Sequence, residues 1–289
     1  MISAIALVLG AGGVGAVAGG SLASAASTSI ENPSCSSTFP ATGHAVAMVS
    51  TPSGNGYWEV DQFGDVVTYG DATCMGSLTG STLDAPVVGM AATPSGHGYW
   101  LVAADGGVFT FGDAHFYGSM GGKHLAAPVV GMAATPSGNG YWLDAADGGV
   151  FTFGGAHFYG SMGGKHLAAP VVGMVATPSG NGYWLDAADG GIFTFGGAHF
   201  YGSMGGKHLA VPVVGMATVP SGNGYWLASS DGGVFTFGDA HFYGSAASVS
   251  FSRPVVRMTA TPSGDGYWLL TSGGGVFAFG NAKIYPKTS

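Results

Sequence analysis

Three sets of side chains in this sequence have the type and spacing to do chemistry. Lysine–histidine pairs recur at Lys123-His124, Lys165-His166 and Lys207-His208, each 42 residues after the last. Aspartates precede glycine at the same interval, at Asp105, Asp147, Asp189 and Asp231. A third set, Glu59, Asp61, Asp65 and Asp71, is packed into 13 residues. The first two sets repeat, and repetition spreads polar groups apart, whereas catalysis needs a few that converge. Three similar pockets of Lys, His and Asp, with Asp144 and Asp186 on neighbouring strands, suit multivalent capture of a repetitive ligand such as a glycan. The candidate ligand-binding residues are therefore Lys123, His124, Lys165, His166, Lys207, His208, Asp105, Asp147 and Asp189. A solvated face on a chain short of charge would show the same pattern, and an Asp-Gly pair also serves a tight hairpin. The acidic set could supply an acid and a base or hold calcium; a diverged terminal repeat explains it equally well.

Other chemistries are not written here. His115, His157, His199 and His241 stand nine residues before the next His or its equivalent position, which is not a zinc spacing. The turns read Ala-Ala-Asp-Gly-Gly rather than Asp-x-Asp-Gly, and no G-x-S-x-G elbow occurs. Gly10-Ala-Gly12-Gly13-Val-Gly15 fits the dinucleotide fingerprint, but no second strand with an acidic residue follows it. No cofactor or metal is expected. Seven Lys and Arg against fifteen Asp and Glu give a net charge of −8, the wrong sign for nucleic acid.

The elements that must carry these residues repeat too. Trp58, Trp100, Trp142, Trp184, Trp226 and Trp268 are each 42 apart, dividing the chain into units at 44–85, 86–127, 128–169, 170–211, 212–253 and 254–289. In the third unit, strands read as 129–135, 141–146, 150–153 and 156–162, separated by Pro-Ser-Gly-Asn-Gly, Asp-Gly and Gly-Gly turns. Gly and Pro recur too often for a helix. Four short antiparallel strands per unit, six times over, predict an all-β, six-bladed β-propeller. Small residues such as Gly131, Ala133 and Ala134 suit a crowded innermost strand. Trp142, Phe151, Phe153, Phe158 and Tyr159 suit the widening space between blades.

The run Gly-Tyr-Trp-Leu-Val/Asp-Ala-Ala-Asp-Gly-Gly-Val-Phe-Thr-Phe-Gly resembles repeats of secreted actinobacterial β-propeller proteins, over residues 44–289. It is more distantly similar to NHL and PQQ-type propeller repeats. The resemblance implies an extracellular accessory or binding module, standing alone or appended to cell-envelope hydrolases. It supplies no ligand residues.

Residues 1–30 carry no charge, and Leu22-Ala23-Ser24-Ala25-Ala26 offers a cleavage site after Ala25, so 1–25 reads as a signal peptide and 26–43 as an N-terminal segment. No Lys or Arg precedes the apolar run, and an uncleaved leader would be a membrane anchor. Cys35 and Cys74 are the two cysteines, and in a secreted chain they are expected to pair. Such a bond competes with residues 33–43 closing the ring at the sixth blade. The functional expectation is a secreted, non-enzymatic binding module recognising glycan or extracellular protein through its loop face. The alternatives are a hydrolase or lyase using the first blade's acids, and a surface protein that self-associates through outer strands.

Overall fold

The computed structural model describes residues 34–288; the predicted leader at 1–25 lies outside them. Every repeat folds as one three-stranded antiparallel sheet. Blade one holds β1 (Ala45–Ser50), β2 (Gly56–Asp61) and β3 (Val66–Gly70), and blade two β4 (Val87–Ala92), β5 (Gly98–Ala103) and β6 (Val108–Gly112). Blade three holds β7 (Val129–Ala134), β8 (Gly140–Ala145) and β9 (Val150–Gly154), and blade four β10 (Val171–Ala176), β11 (Gly182–Ala187) and β12 (Ile192–Gly196). Blade five holds β13 (Val213–Thr218), β14 (Gly224–Ser229) and β15 (Val234–Gly238), and blade six β16 (Val255–Ala260), β17 (Gly266–Thr271) and β18 (Val276–Gly280). The first strand of each blade packs beside its neighbours' first strands, β16 meeting β1, so the six form a closed ring. The chain is a six-bladed β-propeller.

Three belts of contact run round the whole ring. Each Trp is at most 1% exposed and stacks on the Tyr of the next blade, from Trp58 on Tyr99 at 5.9 Å to Trp268 on Tyr57 at 5.8 Å. Each indole N–H is also satisfied, as by Trp142 donating to the His157 carbonyl at 2.7 Å, so the polar end of the ring is buried without loss. In the second belt, the first N–H of each inner strand donates to a turn carbonyl of the preceding blade, such as Val129 to Ala104, and Ala45 to Ser272 closes the circle. In the third, each blade's turn proline packs on a glycine of the next blade, Pro52 on Gly96 through to Pro262 on Gly54.

The expected fourth strand is not formed. In blade three its residues, 156–162, run between blades rather than along the edge of β9. Their acceptors are taken by side chains: His157 O by Trp142, and Gly160 O by the hydroxyl of Tyr183 from the next blade at 2.6 Å. Gly160 sits at φ +136°, outside the strand region. Tyr159 lies over Gly196 of blade four and donates to Gly180 O, but Phe158 points to solvent and is 51% exposed, so it fills no inter-blade space.

Blade one shows how the circle is completed. Tyr285 lies over Gly70 and donates to Gly54 O at 2.8 Å, the place and bond that Tyr159 has on blade four. Beyond it, Gly70 N donates to Pro286 O and Thr288 N to Thr68 O, so the C-terminal residues pair along β3. Ser36 N donates to Val66 O at the start of the same edge. The Cys35–Cys74 disulfide is formed, with Cα atoms 5.7 Å apart. It does not compete with closure at blade six. Phe39, four residues on, packs over Gly274 of that blade, where Met120, Met162 and Met204 cover the equivalent Gly106, Gly148 and Gly190.

The disulfide spans 39 residues, so replacing both cysteines by serine is expected to cost about 3–4 kcal/mol of stability. Denaturant unfolding of the double variant measures it, and an unchanged midpoint would deny the bond a structural role.

Candidate functional site

The predicted ligand residues sit at one end of the ring. In blades two to four the Lys-His loop is anchored to the Asp-Gly turn by Met120 N to Gly106 O, Met162 N to Gly148 O and Met204 N to Gly190 O, at 2.8–2.9 Å. Lys123, His124, Lys165, His166, Lys207 and His208 are exposed there. Asp105, Asp147 and Asp189 are half-buried, and each accepts a hydrogen bond at 2.9 Å from the backbone of Gly107, Gly149 or Gly191. One carboxylate oxygen of each thus shapes its turn. The structure brings each Lys-His loop beside its own turn and sets the three pairs on successive blades.

The acids of blade one do not converge. Glu59 takes the position held by Leu101, Leu143, Leu185, Leu227 and Leu269 in the other blades, and is fully buried against blade six. One oxygen accepts from the Tyr69 hydroxyl at 3.2 Å, lies near Gly274 and faces Phe39's contact; the other has no partner. Burial pushes the Glu59 carboxyl up to about 8, against the pull of the Tyr69 hydrogen bond and the Lys287 charge. Asp61 accepts from the backbone N–H of Phe63 and Asp65 and shapes the β2–β3 turn. Asp65 accepts from Thr79, and Asp71 binds Thr51 at the opposite end of the blade. Among the described residues, no group of three His, Cys, Asp or Glu is placed to hold a metal ion.

A polar constellation that the sequence reading did not assemble lies on the ring axis. The third residue of each inner strand is Ala47, Gly89, Gly131, Gly173, Gly215 or Arg257. Five positions with little or no side chain leave room for the sixth, and Arg257 crosses the axis. Its guanidinium donates to the carbonyls of Val46, Val88 and Val172, from blades one, two and four, at 3.2–3.5 Å. On the loop side it floors a mouth of about 310 Å³ bordered by Val46, Val88, Val130 and Val256. On its other side it borders a cavity of about 130 Å³ with Asp186, Gly89, Gly131 and Gly173.

Asp144 and Asp186 stand across from it. They pair with Gly131 and Gly173 in the ladders, at a position that is Val60, Val102, Ala228 or Leu270 elsewhere. A Cβ on Gly131 would fall 2.8 Å from Asp144 Oδ1, and one on Gly173 3.0 Å from Asp186 Oδ1 and 3.4 Å from Arg257 Nη1, so a side chain at either place would press on these charged groups. Both aspartates are fully buried, and none of their four carboxylate oxygens has a hydrogen-bond partner. Burial raises both carboxyls above the ordinary aspartate range; Arg257 draws them back, and the neighbouring Asp186 charge pushes Asp144 further. The signal was readable as one Arg in a column of Gly and two Asp in an apolar column.

No family model matches the chain, and no curated protein matches it in sequence. Among solved structures, the β-propeller domain of Cps50 (Swd1) from Myceliophteria thermophila is similar over 86% of this chain and 88% of that one, with TM-score 0.57 and 12% identity. At that identity the likeness shows the fold, and folds of this kind host unrelated activities.

Glu59 yields a signed expectation. The folded chain holds its proton up to about pH 8, whereas the unfolded chain releases it near 4.5. Its contribution to stability is therefore complete below about 4.5 and disappears as pH rises through 8. Glu59→Leu, the residue of the other blades, is expected to stabilise the fold at pH 8 by about 1–4 kcal/mol and to flatten this part of the pH profile. Thermal unfolding between pH 5 and pH 9 (roughly the range in which such a carboxyl titrates) measures both.

Proposed function

We propose that this chain is a secreted or cell-surface, non-enzymatic binding module of the actinobacterial propeller type. It recognises an extracellular or cell-envelope glycan, or an extracellular protein, through its loop face. The observation that carries this reading is the recurrence of one exposed Lys-His loop beside one fixed Asp-Gly turn on three successive blades. Each pocket offers Lys and His donors beside a carboxylate whose direction is set by its own turn. Sugar hydroxyls both donate and accept, so such a pocket fits them, and three in a row turn weak single contacts into useful avidity. The apolar leader and the paired cysteines support an oxidising, extracytoplasmic setting.

Co-sedimentation with insoluble envelope and polysaccharide fractions tests it. The chain is expected to pellet saturably, and the Lys123→Ala, Lys165→Ala, Lys207→Ala triple variant to lose ten-fold or more in affinity. Undiminished pelleting of the variant would move the site off this face, and no pelleting with any fraction would turn the search to soluble proteins.

A second reading, self-association, is favoured by one feature. The outer edge of β3 is taken by Ser36, Pro286 and Thr288, whereas among the described residues β6, β9, β12, β15 and β18 pair with no further strand, and Phe158, Phe200 and Phe242 are exposed. Sedimentation velocity decides between them: concentration-dependent oligomers support it, and a sharp monomer at high concentration removes it.

A further inference from the structure

We propose that the axial cavity beside Arg257 is a binding site for one small monovalent cation, an alkali metal ion or ammonium, held by Asp186, which lines it, and balanced by the buried charge of Asp144 on the neighbouring blade. The argument begins with charge. Two buried carboxylates and one guanidinium leave one negative charge without a counterpart in a region screened from water, a state that must be relieved by a proton or a cation. Arg257 does not provide direct relief, because its hydrogen bonds go to Val46, Val88 and Val172 and none reaches either carboxylate.

A shared proton fits poorly as well. Two carboxyls that share one stand within hydrogen-bonding distance of each other, and neither aspartate has any hydrogen-bond partner; a proton on one alone would leave a buried O–H without an acceptor. Water alone would solvate the oxygens without cancelling the charge. What fits is a single charge of small radius in the space that Asp186 and Arg257 border, whose volume of about 130 Å³ admits an ion with a few waters. A divalent ion would overshoot the charge balance and face Arg257 at short range; a single charge restores neutrality.

The protein itself supplies the control. At the same register, Val60, Val102, Ala228 and Leu270 show that four of six blades pack with an apolar residue there. The two aspartates are therefore not demanded by the ladder. Among the described residues, the charges that act on Asp144 are Asp186 and Arg257, and the charge that acts on Asp186 is Arg257, from blade six. A carboxyl must lose its proton to hold an ion, so binding strengthens as pH rises.

The test is thermal unfolding of the whole chain at pH 8 in sodium, potassium, ammonium or bulky N-methylglucamine chloride at equal ionic strength. At least one small cation is expected to raise the midpoint saturably over N-methylglucamine, with the gain shrinking at pH 5. The gain is expected to vanish in Asp186→Val and Asp144→Val, which place the blade-one residue at this register. Equal midpoints in all four salts, or a selective gain that survives in both variants, would overturn the proposal. Should the variants not fold, a crystal of the unaltered chain soaked in thallium(I) decides. An anomalous peak between Asp186 and Arg257 supports the site, and its absence there refutes it.

Discussion

The whole molecule hangs on one contact made six times, the indole of one blade lying on the tyrosine ring of the next. Burying a Trp removes about 150–250 Å² of surface, a gross gain of roughly 4–6 kcal/mol before ordering entropy is subtracted. A sheet is apolar on its inner face and must bury that face against another element. Here each sheet borrows its missing surface from two neighbours, and the last borrows from the first through Trp268 and Tyr57. The glycines follow from this. A proline and a tyrosine, both from blade three, press directly on blade four's backbone at Gly180 and Gly196, both at positive φ, where a side chain would be both strained and in the way.

How much of this is legible in the sequence depends on whether a feature repeats. The Trp period is carried by every unit, the Asp-Gly hairpin by four of the six and a small third residue of the inner strand by five, and together they imply six blades. The fourth strand was misread because a short run after a Gly-Gly turn, here Ala-His-Phe-Tyr-Gly-Ser-Met at 156–162, looks the same whether a segment joins a ladder or crosses between sheets. Only the competition for Gly160 O by a tyrosine from the next blade separates the two, and that partner is 23 residues away. Phe158 was misjudged for the same reason, since its direction depends on that crossing.

The polar residues divide along a similar line. Lys123, Lys165 and Lys207 drew attention because they recur, and the structure sets them at the surface. Arg257 occurs once and was passed over, yet it touches carbonyls from three other blades. Asp144 and Asp186 were noticed as neighbours of the loop face, although they are sealed near the axis. In a repeat protein the departures from the consensus carry the information that the consensus cannot. Glu59 in a column of leucines, Arg257 in a column of glycines and the paired aspartates all report places where the ring ceases to be symmetric.

The exchange of chain ends sets an order of events. Blade one is the first to be synthesised, but the outer edge of β3 receives its partners from Pro286 and Thr288, and Thr68 bonds to a residue 220 positions later. Blade six is covered at Gly274 by Phe39, from the segment that precedes blade one. Every shorter nascent chain is thus an arc with a raw rim at each end, and contacts of such long sequence range are slow to form. The first blade is finished by residues that follow the sixth, so the ring cannot close until all six blades have been made.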